Sequence, residues 1–132
     1  MAILLDTDVA IHLRDGEPSI WKRLNDRSER PVLSILAQVE LEGGVLRDRI
    51  DAGRKRLALD LLLRRMMILP FDEACVAVYR VIIEARGYNR PRLVDRMIAA
   101  TAMAHDLTLV TMNGDDFRDI PDLRLEVWPN PQ

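Results

Sequence analysis

Short apolar runs at Ala2–Leu5, Pro31–Ser34, Met67–Phe71, Thr108–Thr111 and Leu123–Val127 recur along the chain, and no two of them are joined by a tight turn. Neighbouring runs therefore cannot pair as hairpins. They predict strands that pair in parallel through crossover helices, an α/β sandwich around a mainly parallel central sheet. The segments between them fit that role. Thr7 or Asp8 can cap a helix that runs to His12-Leu13 and stops at Asp15-Gly16, and Glu17 to Asp26 reads as a second helix with Pro18 in its first turn. From Ile35 to Arg49, Leu36, Val39 and Leu46 keep a helical spacing interrupted by Gly43-Gly44. Ala52 to Arg65 is a helix whose Leu57, Leu59, Leu61, Leu62 and Leu63 are expected in the core. Asp72 caps a helix from Glu73 to Arg86 that ends at Gly87, and Leu93 to Asp106 forms the next one.

In parallel sheets, ligands gather at the carboxyl ends of the strands, so polar residues that follow the apolar runs are the candidates for chemistry. Asp6 directly follows Ile3-Leu4-Leu5. It reads either as a site residue or as part of the cap of the next helix, shared with Thr7 and Asp8. Asp95 is more telling, because its same-face neighbours are Ile98, Ala99 and Ala102. A carboxylate on that stripe needs a cation, a hydrogen-bond network or a proton; an ion pair with Arg92 or Arg96 is the structural alternative. Glu40 stands beside Gly43 and Gly44, which leave room for a neighbouring element or a metal. After Leu109-Val110, Thr111, Asn113 and Asp116 can face the strand ends, or they form only a turn rich in Asn, Gly and Asp. Acids without a Ser/His/Asp set, and with no His or Cys beside them, suit Mg²⁺ or Mn²⁺ rather than Zn²⁺.

With 132 residues, 48% of them hydrophobic and 30% charged, the chain has the composition of one ordinary globular domain, 1–132, able to bury roughly two-thirds of its unfolded surface. One cysteine, Cys75, excludes an internal disulfide framework and reads as a small buried hydrophobe. The start Met1-Ala2-Ile3-Leu4-Leu5 carries no basic leader or long apolar stretch, and a cytoplasmic protein with no membrane segment is expected. A net charge of -2 argues against a general nucleic-acid binder. One local cluster, Arg86, Tyr88, Arg90, Arg92 and Arg96 around Asp95, could nevertheless hold a phosphate backbone near a metal.

Ile3-Leu4-Leu5-Asp6-Thr7-Asp8, Val39-Glu40-Leu41-Glu42-Gly43, Leu93-Val94-Asp95-Arg96-Met97-Ile98-Ala99-Ala100 and Thr108-Leu109-Val110-Thr111-Met112-Asn113 resemble, in order and spacing, the motifs of PIN-domain VapC toxins. The resemblance runs to Leu125-Glu126-Val127-Trp128. It implies a Mg²⁺- or Mn²⁺-dependent endoribonuclease, the toxin of a type II toxin–antitoxin pair. Asp6, Glu40 and Asp95 match the family's metal-binding acids. Some members carry Asp where this chain has Asn113, so either Asp116 or Asn113 completes the catalytic set. Thr7, Thr111, Asn113, Arg90 and Arg92 are expected to contact carboxylates or substrate. The implied partners are RNA, a VapB-like antitoxin and a second copy of the chain. Two alternatives remain: Asp6-Thr7-Asp8 also resembles the first motif of haloacid-dehalogenase-like phosphatases, although Val9 stands where Gly-Thr is usual, and a PIN-like scaffold could bind RNA or protein without cleavage.

Overall fold

A computed structural model describes residues 1–131. Its elements in chain order are β1 (Ala2–Leu5), α1 (Thr7–Arg14), α2 (Pro18–Asn25), β2 (Arg30–Ser34), α3 (Ile35–Arg47), α4 (Ala52–Arg64), β3 (Met67–Leu69), α5 (Glu73–Arg86), α6 (Leu93–Ala104), β4 (Thr108–Thr111) and β5 (Leu125–Val127), with 3₁₀ turns at Arg90–Arg92 and Gly114–Asp116. The five strands form one sheet in the order β3-β2-β1-β4-β5, and every pairing is parallel. The expected α/β sandwich is what the chain forms. Its order has a direct consequence for ligands: the chain lays β2 and β3 to one side of β1 and β4 and β5 to the other. The switch point thus lies between β1 and β4, where a crevice opens at the strand ends.

Why β1 is apolar throughout follows from its central place. Ile3 and Leu5 enter a core with α1–α4, through Val9, Leu13, Leu41, Leu59 and Leu62. Leu4 points the other way, into a core with Ile82 of α5, Ile98, Ala99 and Ala102 of α6, and Phe117. Two of the helices, α3 and α5, start on side-chain caps that complete otherwise unpaired amides: Ser34 accepts from the Ala37 amide at 3.1 Å, and Asp72 from that of Cys75 at 3.1 Å. Cys75 is fully buried, as expected. Gly87 closes α5 at φ 81°, a conformation that disfavours any residue with a Cβ.

Two core assignments differ from the sequence expectation. On α3 the buried stripe is Ala37, Leu41 and Val45, while Val39 and Leu46 are exposed and Leu36 is only partly covered. Both stripes are apolar, but the one through Leu36, Val39 and Leu46 is broken by Gly43, so the other buries the more continuous surface. On α4, Leu59 and Leu62 are buried and Leu63 is partly covered, whereas Leu57 and Leu61 face outward. Five leucines span more of the helix circumference than one sheet-facing stripe can hold. Several ends are also shorter than expected: α3 stops at Arg47, α6 at Ala104 and β3 at Leu69, and β5 begins only at Leu125.

Candidate active site

At the end of β1, Asp6 is nearly buried, and its backbone is fixed twice. Its amide donates to the Val110 carbonyl at 2.8 Å, and its own carbonyl accepts from the Ala10 amide at 3.1 Å. Its side chain caps α1, with Oδ1 accepting from the Thr7 amide at 2.8 Å; Oδ2 accepts from the Thr111 hydroxyl at 2.8 Å. Cap and site residue are therefore the same residue. Asp8, in the first turn of α1, reaches the same place. Its Oδ2 accepts from the Met112 amide at 3.0 Å and lies 3.2 Å from the Thr111 hydroxyl, while Oδ1 accepts from the Val9 amide at 2.7 Å.

The other acids arrive from three further elements. Glu40 projects from α3, exposed, and its Oε1 accepts from the Thr7 hydroxyl at 2.5 Å. Asp95 sits in the first turn of α6, half-buried, on the same face as Ile98, Ala99 and Ala102, all fully buried. After β4, the Asn113 side-chain amide donates to Asp116 Oδ2 at 2.5 Å. A larger residue in place of Gly114 would force Val127 and Arg118 to shift, because a Cβ there would lie 2.7 Å from Val127 Cγ2. Asp6, Thr7, Asp8, Ile11, Glu40, Asp95, Asn113 and Asp116 line one cleft of about 210 Å³. A larger apolar cavity of about 460 Å³ lies elsewhere, among Leu13, Trp21, Leu61, Leu62 and three arginines, and contains no carboxylate to drive hydrolysis.

Electrostatics sets this cleft apart from the rest of the surface. Burial, then the charge of Asp8, raises Asp6 to about 7 from the ordinary 3.8; the hydrogen bonds from Thr111 and Thr7 oppose the rise. Burial also raises Asp95 to about 6, helped by the charges of Asp116 and Glu40 and only partly offset by Arg92. Asp8 is raised as well, chiefly by burial. The ion pair considered for Asp95 is absent among the described residues: Arg92 pairs with Asp116, and Arg96 with Asp119. Five carboxylates thus share a cleft with a single cation, Arg92, at its rim, an arrangement typical of a site built for a charged ligand.

A pH dependence follows. Between about 4 and 7 the folded, metal-free protein keeps a proton on Asp6 that the unfolded chain has released, so stability falls as pH rises through that window. Holding that proton up to about pH 7 corresponds to at most about 4 kcal/mol. Thermal melts in chelator should show this decline, and Asp6→Asn should flatten it. An unchanged slope in the variant would place the titrating group elsewhere.

The arginine cluster divides. Arg96 is buried, donating from Nη1 to the Gly87 carbonyl at 2.7 Å and from Nη2 to Asp119 at 3.4 Å, with its Nε unpartnered. Arg86 donates to the Asp119 carbonyl at 2.5 Å. Arg96 thereby clips together the loops before α6 and after β4 instead of facing a phosphate, which corrects its expected role, whereas Arg86 is exposed and holds the second loop through its Nε alone. Arg92 donates to the Asp116 carbonyl at 2.9 Å, at the rim of the cleft. Arg90 is exposed and forms no ion pair among the described residues. Thr111 is fully buried, so its hydroxyl serves Asp6 and Asp8 and does not reach a substrate. The glycines of α3 do not open the cleft: Gly44 makes room for the buried Arg14, 3.4 Å from the position of a Cβ, and Gly43 faces open space.

Asp8 is the site residue that sequence reasoning treated only as a cap. The available signal was its two-residue offset from Asp6 across a strand-to-helix junction, where both side chains can turn toward the next parallel strand. Among the described residues no three acidic, His or Cys groups close into a coordination shell; the acids line an open cleft instead. The donor set is nonetheless oxygen-only and short of positive charge, as a divalent cation requires.

The PIN domain family profile matches residues 3–123. Ribonuclease VapC2 of Rickettsia felis is 29% identical over 97% of this chain and 98% of its own length. The tRNA(fMet)-specific endonuclease VapC of Salmonella typhimurium is 28% identical, again over 97% of this chain and 98% of its own. Among solved structures, VapBC2 from Rickettsia felis bound to a DNA fragment from its promoter contains a chain that superposes with a TM-score of 0.85, at 28% identity, over 97% of this chain and 99% of that one.

Proposed function

Because the chain belongs to the PIN-domain family, in company with VapC ribonucleases along nearly its full length, we propose that it is a divalent-metal-dependent endoribonuclease, the toxin of a type II toxin–antitoxin pair. The observation that carries the chemistry is the acidic cleft at the β1/β4 switch point, five carboxylates against one arginine. In this reading residues 1–132 are one PIN domain. Asp6, Asp95 and Glu40 hold Mg²⁺ or Mn²⁺, and Asp116 with Asn113 completes the site. When bound, the ion polarises the scissile phosphate and lowers the pKa of a water. Thr7 orients Glu40, and Thr111 orients Asp6. In this reading Glu40, the exposed acid of the set, orients the ion or the attacking water.

Arg90 and Arg92 hold the RNA backbone. Phosphate contacts govern affinity and its salt dependence, whereas the acids govern the chemical step. Replacing both arginines with alanine should weaken RNA binding. The slope of log affinity against log salt should also flatten, by roughly 0.7 for each phosphate of a single strand that the variant no longer neutralises. A slope identical to wild type would turn these side chains toward solvent or a protein partner.

Partners follow the same electrostatic logic. A VapB-like antitoxin that presents an arginine to Asp6, Glu40 and Asp95 would neutralise the cleft bidentately and exclude both ion and RNA. The chain is read as a cytoplasmic protein, active as a homodimer; among the described residues no helix is long and apolar enough to cross a membrane. The phosphatase alternative separates cleanly. Purified protein, freed of partner, should cut a structured RNA internally in Mg²⁺ and leave a small phosphate ester intact; the opposite pattern would replace the nuclease reading with an aspartyl-phosphate enzyme.

A further inference from the structure

We propose that Asp8 is a positioning residue for Asp6: it grips the chain where it leaves β4, and so fixes the hydroxyl that orients the Asp6 carboxylate toward the metal. This rests on the reading of the acidic cleft as a divalent-metal site. The contacts that carry it are few and connected. Asp8 Oδ2 accepts from the Met112 amide at 3.0 Å, and Oδ1 accepts from the Val9 amide at 2.7 Å, so one side chain ties the first turn of α1 to the exit of β4. The Thr111 hydroxyl has a single proton. It lies 2.8 Å from Asp6 and 3.2 Å from Asp8, so the proton goes to Asp6, and the same oxygen accepts from the Asn113 amide at 3.0 Å. Asp6, Thr111 and Asn113 are thereby held in one chain of hydrogen bonds whose far end is anchored by Asp8.

The charge of Asp8 works against such a role. It is the second-largest cause of the raised proton affinity of Asp6, after burial, and so disfavours the ionised form that binds metal. What Asp8 contributes in return is acceptor geometry. A neutral residue with one well-placed carbonyl oxygen would keep the grip on Met112, its side-chain amide turning slightly away from the Val9 N–H it can no longer accept from. The prediction is therefore that shape and acceptor matter at this position, and charge does not.

Calorimetric titration of Mn²⁺ into the metal-free protein at pH 8 tests this with wild type, Asp8→Ala, Asp8→Asn and Asp95→Asn. Asp8→Ala should weaken binding about 10- to 100-fold, the usual cost of losing a group that orients a ligand. Asp8→Asn should recover most of that loss. In RNA cleavage, Asp8→Ala should lower kcat with KM little changed, because both Asp8 oxygens are engaged by the Val9 and Met112 amides. Hydrogen exchange in chelator gives a readout free of both metal and activity: the Met112 amide should exchange fast in Asp8→Ala and be protected in Asp8→Asn. If Asp8→Asn binds as weakly as Asp8→Ala, Asp8 acts through its charge or as a ligand and the positioning role is wrong. Undiminished binding by Asp8→Ala overturns it too. Wild type without affinity for Mn²⁺ would instead sink the metal reading itself. Should Asp8→Ala fold poorly, Thr111→Val removes the same oriented hydroxyl; a loss of about 10- to 100-fold in affinity supports the proposal, and wild-type affinity overturns it.

Discussion

Replacing Asp95 with asparagine is expected to lower RNA cleavage by roughly 100-fold or more while raising the melting temperature of the metal-free protein. Both effects come from one placement. Asp95 is carried into the cleft by the apolar face of α6 and is pushed up to about 6 by burial and by the charges of Asp116 and Glu40. From about pH 4 to 6 the folded protein keeps a proton that the unfolded chain gives up, so the cost of the ionised form grows through that window and is complete by pH 8. Two units would correspond to about 3 kcal/mol; with partial exposure, solvent screening reduces this to about 1–2 kcal/mol. Asparagine removes the cost, so melts in chelator at pH 8 should rise by several degrees, and the gain should vanish near pH 4. Asparagine also removes a charged ligand, so the gain should disappear when Mn²⁺ is added, because wild type is stabilised by the ion and the variant much less. A variant that is both destabilised and active would reverse the role assigned to this residue.

Phe117→Ala should be the most destabilising single truncation near the site, at about 3–5 kcal/mol. The ring is 1% exposed and packs in the core with Leu4, Ile98, Ala99, Leu109 and Ile120. Its amide donates to the Gly114 carbonyl at 3.0 Å, so it pins the turn that carries Asn113 and Asp116. For a domain whose total stability is of order 5–15 kcal/mol, the truncation removes a large share. Chemical denaturation should show the lower midpoint with an unchanged slope. At temperatures where the variant remains folded, metal affinity should fall as well, because the loosened turn no longer holds Asp116 beside Asp95. Affinity equal to wild type would uncouple that turn from the site.

Much of this architecture was legible in the residues because the central strands are buried on both faces. Ile3-Leu4-Leu5 and Leu109-Val110 leave no polar alternation, which forces parallel strands with helices on both sides and locates the acids at their carboxyl ends. Asp95 was half readable: a carboxylate on an Ile98–Ala99–Ala102 stripe needs a cation, a hydrogen-bond network or a proton, and only the fold shows Arg92 and Arg96 paired with Asp116 and Asp119 instead. What was obscure depended on partners distant in the chain. Asp8 looked like a local cap because its partner, the Met112 amide, lies 104 residues away. Arg96 looked like a phosphate ligand because its partners, Gly87 and Asp119, lie in loops whose meeting depends on how α5 packs on α6. On α3 and α4, local periodicity offered more apolar residues than one face could bury, and only the tertiary fold selects Ala37, Leu41, Val45, Leu59 and Leu62.

Whether the cleft of Asp6, Glu40 and Asp95 binds a divalent ion on which RNA cleavage depends is tested most directly by titrating Mg²⁺ and Mn²⁺ against partner-free protein. Internal cleavage of a structured RNA and heat of binding are measured on the same samples. Cleavage absent in chelator, rising with the same half-saturation as the binding isotherm, and lost together with that isotherm in Asp95→Asn is the predicted result. Full cleavage in chelator, or metal binding and cleavage both preserved in Asp95→Asn, would contradict it.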